Sequence, residues 1–130
     1  MSLQFIYYFQ STLYSLLTSN NNLPKIYLSV QQDAKYPFIL INLQKAVNLS
    51  KPHLPTYEID FEICIFARDK AQETILKTMS VIGDMIRQEN LSNNQYKVLS
   101  VKDQNLEWVR GHDLLTTKLV VSYKSLIQSI

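Results

Sequence analysis

The sequence predicts an α+β fold in which two helices pack on one face of a mainly antiparallel sheet of about five strands, in the order α-β-β-β-α-β-β with one more strand allowed near the end. Three patterns carry this expectation. Residues 3–17 place apolar groups at helical spacing, residues 56–67 and 115–123 alternate in the manner of half-buried strands, and Asp69 with Gln72 marks the start of a second amphipathic helix.

The first helix is read from Ile6, Phe9, Leu13 and Leu16, which form one stripe along Leu3–Leu17. Ser19-Asn20-Asn21-Asn22 stops it, because asparagine tolerates the left-handed conformation of a helix end, and Pro24 follows. A short strand is expected from Ile26 to Val30, a turn at Asp33-Ala34-Lys35, and a second strand over Tyr36–Ile41 with Pro37 near its start, where a missing N–H does not break the ladder. The stretch from Asn42 to Pro55 shows no sustained period and reads as a long exposed loop.

In TYEIDFEICIFA, residues 56–67, Tyr57, Ile59, Phe61, Ile63 and Ile65 lie on one face, with Glu58, Asp60, Glu62 and Cys64 opposite. Asp69 as N-cap with Gln72 three residues later has the form of a capping box. The helix it opens carries a stripe of Ala71, Ile75, Met79, Ile82 and Ile86, with Arg87 near the negative end of the helix dipole and Asn90 as terminator. Segments 96–101 and 106–109 read as strands, residues 110–113 as a turn, and the alternation of Leu115, Thr117, Leu119, Val121 and Tyr123 as a closing strand.

Length and composition narrow the function. One domain is expected over residues 1–130, long enough to bury a continuous core. A net charge of +2, with 46% hydrophobic residues, fits neither a disordered tail nor a strongly basic nucleic-acid binder. The single cysteine, Cys64, precludes an internal disulfide and cysteine-rich zinc sites. The only glycines, Gly83 and Gly111, lie too far apart for a phosphate-cradling loop. The apolar first residues lack a basic leading region and an uninterrupted apolar run, so neither an export signal nor a membrane span is expected, and the Asn-x-Ser triplets at Asn48 and Asn90 read as chance.

Few residues invite chemistry. Glu58, Asp60 and Glu62 set three carboxylates along one strand face; a solvated face explains them, no ligand set completes a metal shell, and the remaining use is an acidic assembly surface. His53 and His112 lack a partner pattern and read as surface loop residues. Cys64 reads as a small buried hydrophobe, and the eight tyrosines as core and surface rings. Trp108 beside Arg110 is a candidate interface anchor, with ordinary half-burial an equal account. No catalytic signature, cofactor or metal is expected.

The joint order of several pieces resembles the small phage tail-completion or tail-terminator family, which includes minor tail protein U-like and head–tail joining proteins of prophages and gene transfer agents. The pieces are the helix Leu3-Gln4-Phe5-Ile6-Tyr7 to Leu17, the Ile26-Tyr27 strand, Tyr36-Pro37-Phe38-Ile39-Leu40-Ile41, and Phe61 to Asp69 with Ala71 onward. The last is the Arg110-Gly111-His112-Asp113 turn feeding Leu115 to Tyr123. Many members have a glycine after that aspartate, where Leu114 stands here.

The resemblance implies a non-enzymatic structural subunit, formed in the host cytoplasm and then part of the particle tail. It implies a ring, typically hexameric, on the end of the tail tube that stops tail growth and joins the tail to the head connector. The implied partners are the chain itself, the tail-tube protein and the connector, with DNA passing through without specific binding and no membrane involved. On this reading Glu58, Asp60 and Glu62 are candidates for a lumen or intersubunit face, Lys45, Lys51 and His53 for a partner-contact loop, and Trp108 and Arg110 for interface anchors. The competing reading is a small α+β ligand-binding or dimerisation module, which would show an enclosed apolar pocket.

Overall fold

The structure, a computed structural model, describes residues 3–49, 55–69, 72–88, 91–92 and 96–129. The order is α1 (Leu3–Thr18), β1 (Lys25–Tyr27), β2 (Phe38–Asn48), β3 (Thr56–Arg68), α2 (Gln72–Gln88), β4 (Tyr96–Arg110) and β5 (Thr116–Ser129). The strands form one sheet in the order β1-β2-β3-β5-β4. All pairings are antiparallel except β1 with β2, which run parallel. Both helices cover the same face, as the sequence predicts.

The core follows from the strand period. On β3, Tyr57, Ile59, Phe61, Ile63, Ile65 and Ala67 point to the helices, and the antiparallel register sets Leu119, Val121, Tyr123 and Ile127 of β5 beside them. α1 adds Phe9, Leu13 and Leu17, and α2 adds Ile75, Met79, Ile82 and Ile86. Phe61 is the hinge of this packing, stacked on Tyr123 at 5.2 Å and edge-on to Phe9 at 5.4 Å. Phe5 of α1 reaches Tyr57 and Tyr96, and the Tyr96 hydroxyl donates to Thr12 Oγ1 at 3.2 Å, so α1 also clamps the start of β4.

Several sequence expectations are corrected. The long loop from Asn42 to Pro55 does not exist as such: β2 runs on to Asn48, paired with β3 as far as Asn48↔Tyr57. Its alternation was hidden because the bulge at Gln44, between Leu43 and Lys45, puts two consecutive residues out of phase. Lys45 is therefore a strand residue opposite Asp60, while Lys51 and His53 lie outside the described residues. β1 ends at Tyr27, and it joins β2 in parallel where a turn-linked antiparallel pair is the usual arrangement.

Segments 96–101 and 106–109 are one strand, β4, broken in pattern by bulges at Leu99 and Gln104. β5 continues to Ser129, well past Tyr123. Asp69 lacks the extended backbone of an N-cap: it takes a left-handed φ of 57°, and its N–H donates to Leu115 O at 3.1 Å. Ala71 and Asn90 lie outside the described residues.

Candidate functional site

The face of the sheet turned away from the helices has no layer over it among the described residues, and it divides into two ends. Toward the start of β2 it is aromatic. Phe38 and Phe66, opposite each other in register, stack at 4.7 Å and 11°, with Tyr27 edge-on to Phe38 at 5.7 Å and Tyr36 tilted at 5.5 Å. Tyr27 and Phe66 pack against Leu40, Cys64 and Val120. Lys118 stands 5.4 Å from the Phe66 ring and Lys25 5.4 Å from Tyr27, each placing its ammonium over a π face. Burial pushes the Cys64 thiol up to about 11, so the thiolate is nearly absent at neutral pH and Cys64 is no nucleophile there.

The other end is charged. Glu58, Asp60 and Glu62 line up on β3 as the alternation predicts, but they do not form an isolated acidic row. Lys124 of β5 lies 3.3 Å from Glu58 Oε1 and 3.8 Å from Asp60 Oδ1, and Asn42 Nδ2 donates to Glu62 Oε1 at 3.4 Å. The register adds Lys45, Lys97 and Lys102 to this side, with Arg68, Lys118 and Lys25 at the aromatic end and Glu107 as the fourth carboxylate. Cations therefore outnumber carboxylates on this face. Taken alone, β3 presents an acidic face; the neighbouring lysines come from strands distant in the chain.

Trp108 and Arg110 lie on β4, the sheet's outer strand. Trp108 is half-buried beside Leu119 on the helix-side face, and Arg110 is exposed. Earlier on β4, a groove of about 490 Å³ opens between that strand and α2, floored by Val121, Tyr123 and Met79 and rimmed by Leu76, Arg87, Asp103 and Leu106; Trp108 and Arg110 do not line it. A Cβ at Gly83 would stand 3.5 Å from Arg87 Nη1 and 3.8 Å from the Tyr123 hydroxyl, ordinary van der Waals contacts, so the groove does not depend on glycine there. Burial, and then the Asp103 carboxylate, push the Tyr123 phenol up to about 12 against the opposing pull of Arg87. The groove's rim is exposed, so it is not the enclosed apolar pocket a small-ligand module would show.

The turn between β4 and β5 is built by Asp113. Its carboxylate accepts from Thr116 N at 2.9 Å, Thr116 Oγ1 at 2.9 Å and Leu115 N at 3.0 Å, and these bonds hold it below the usual carboxylate range. Arg68 adds a 3.8 Å ion pair. Leu114 takes a left-handed φ of 61° with its side chain 73% exposed, a backbone conformation that a glycine at this position would adopt without strain. His112 is exposed in the same turn. Among the described residues no group of three His, Cys, Asp or Glu could hold a metal, and no helix is long and apolar enough to cross a membrane.

These features define the class: a two-layer α+β fold with one sheet face under two helices and the other open. No family model matches the chain, and no curated protein matches it. Among solved structures, the fold is similar to that of a chain in the virion of a native gene transfer agent particle, with a TM-score of 0.79 over 92% of this chain and 93% of that one. The two share 11% sequence identity, so the likeness is one of fold.

Proposed function

We propose that this chain is a structural, non-enzymatic protein of a phage-like particle, a subunit that rings the end of a tail tube, stops its growth and joins it to the head connector. The observation that carries the reading is the near full-length match in fold to a chain of a gene transfer agent virion. The family resemblance of the ordered pieces from Leu3 to Tyr123 supports the tail-end role in particular. The open sheet face supports it too, since an assembly subunit needs surface that its own helices leave free.

In this reading Glu58, Asp60 and Glu62 face the lumen or a subunit seam, where the three carboxylates, two of them paired with Lys124, counter the surrounding lysines and weaken their hold on DNA phosphates. The tail-tube and connector proteins are its partners, and the hexamer is its expected form on the tube. The test is electron microscopy of purified tail tubes incubated with the protein. Tubes capped at one end by a ring, and no longer able to elongate, are the expected result; uncapped tubes that keep growing overturn it. Reversing all three carboxylates should slow DNA transfer by the particle while the variant's melting curve shows it folded, and unchanged transfer would sink the lumen assignment.

A further inference from the structure

We propose that copies of this chain join edge to edge, the C-terminal half of β4 of one copy pairing antiparallel with β2 of the next, so that one sheet continues through the assembly. This deepens the ring reading above and rests on it. The two edges are open for different reasons. β4 is the last strand of the sheet, and β1 pairs only with Phe38–Leu40, so among the described residues no strand lies outside β2 from Ile41 to Val47. Three successive antiparallel pairings separate β2 from β4, so the two run in opposite directions. Copies set side by side in the same orientation therefore bring these edges together antiparallel, the more stable pairing.

The side chains select a register. β4 carries the devices that keep an edge from pairing, bulges at Leu99 and Gln104 and the charges of Lys102 and Asp103, in its first two-thirds; residues 105–110 are free of bulges. Setting Glu107 opposite Lys45 places opposite charges together on the open face. The same register sets Leu106 beside Ala46 and Trp108 beside Leu43 on the helix-side face, with Gln44 bulged out as it already is against β3. Leu43, Ala46 and Trp108 are the half-buried margins of the main core, so the contact completes that core at both edges. An unstaggered contact would instead set Lys102 beside Lys45, and a stagger between strands is what closing a sheet requires. The two surfaces differ, so the contact is heterologous and closes into a ring where the rotation fits.

The chain carrying both Lys45→Cys and Glu107→Cys, oxidised under native conditions alone and on tail tubes, tests this. Both side chains are exposed and Cys64 is buried, and melting curves check that the variants fold. The expected result is a disulfide-linked ladder ending in a closed species, absent from either single variant. Reversing one charge, Lys45→Glu or Glu107→Lys, should weaken association about fivefold per contact, and combining the reversals should restore it to within about twofold. Rings that form without the 45–107 disulfide would overturn the edge contact and leave the ring reading standing. A cross-linked dimer of Glu107→Cys alone would replace it with a two-fold β4 contact. Chains that stay monomeric and uncrosslinked both free and on tubes would overturn the edge contact and the ring together.

Discussion

The two faces of the sheet are made by the same strands with the same alternation, yet they bury their side chains by different means. On the helix side, Phe61, Ile63 and Leu119 are wholly enclosed because α1 and α2 lie across them. On the open side, Leu40, Cys64 and Val120 are also buried, at 8%, 1% and 6% exposure, with no helix above them among the described residues. There the cover is local: Tyr27 and Phe66 pack against them, Phe38 stacks on Phe66, and Lys118 closes over the ring. An alternating strand thus needs a second layer to bury a long row, while large rings can close a short one. The rest of the open face stays charged and accessible, and it is this part that an assembly can use.

If that comparison holds, truncating a ring should have consequences that differ between the faces. Phe61→Ala removes a ring enclosed by Phe9 and Tyr123 and should cost about 3–5 kcal/mol in chemical denaturation. Phe66→Ala, where water can fill the gap, should cost about 1–2 kcal/mol. Equal losses would mean that the open face is packed as a true interior.

A smaller effect comes from Tyr123 on the helix side. Its folded value of about 12 lies above the ordinary 10, so its contribution is complete below pH 10 and is lost as pH rises through 12, because the unfolded chain ionises first. The loss should reach about 3 kcal/mol, and Tyr123→Phe should remove that part of the stability–pH curve. An identical curve in the variant would show that the phenol is not held neutral by the groove.

The smallest effect is expected from the ion pairs of the open face. Lys124→Ala breaks contacts to Glu58 and Asp60, but all three side chains are partly solvated, so stability should change by less than about 0.5 kcal/mol in the same denaturation assay. A larger loss would mean that Lys124 offsets repulsion along the whole carboxylate row.

The fold was legible in the sequence wherever one element carried its own period. The stripe around Phe9 and Leu13, the Ile75–Met79–Ile82–Ile86 stripe and the alternation of residues 56–67 each needed no knowledge of a partner. Reading failed at bulges: Gln44 concealed half of β2, and Leu99 with Gln104 made one strand look like two. It also failed to see the open face whole, because Lys45 and Lys124 come to stand opposite Asp60, and Lys102 beside Lys124, only through pairing across the chain.

By itself, then, the sequence determined which side of each regular element is apolar, since that depends only on the spacing of neighbouring residues. Tertiary structure decided which strands stand side by side, that β1 runs parallel to β2, and which two edges remain open. Those outcomes depend on hydrogen bonding between residues far apart in the chain, and local periodicity carries no record of the partner.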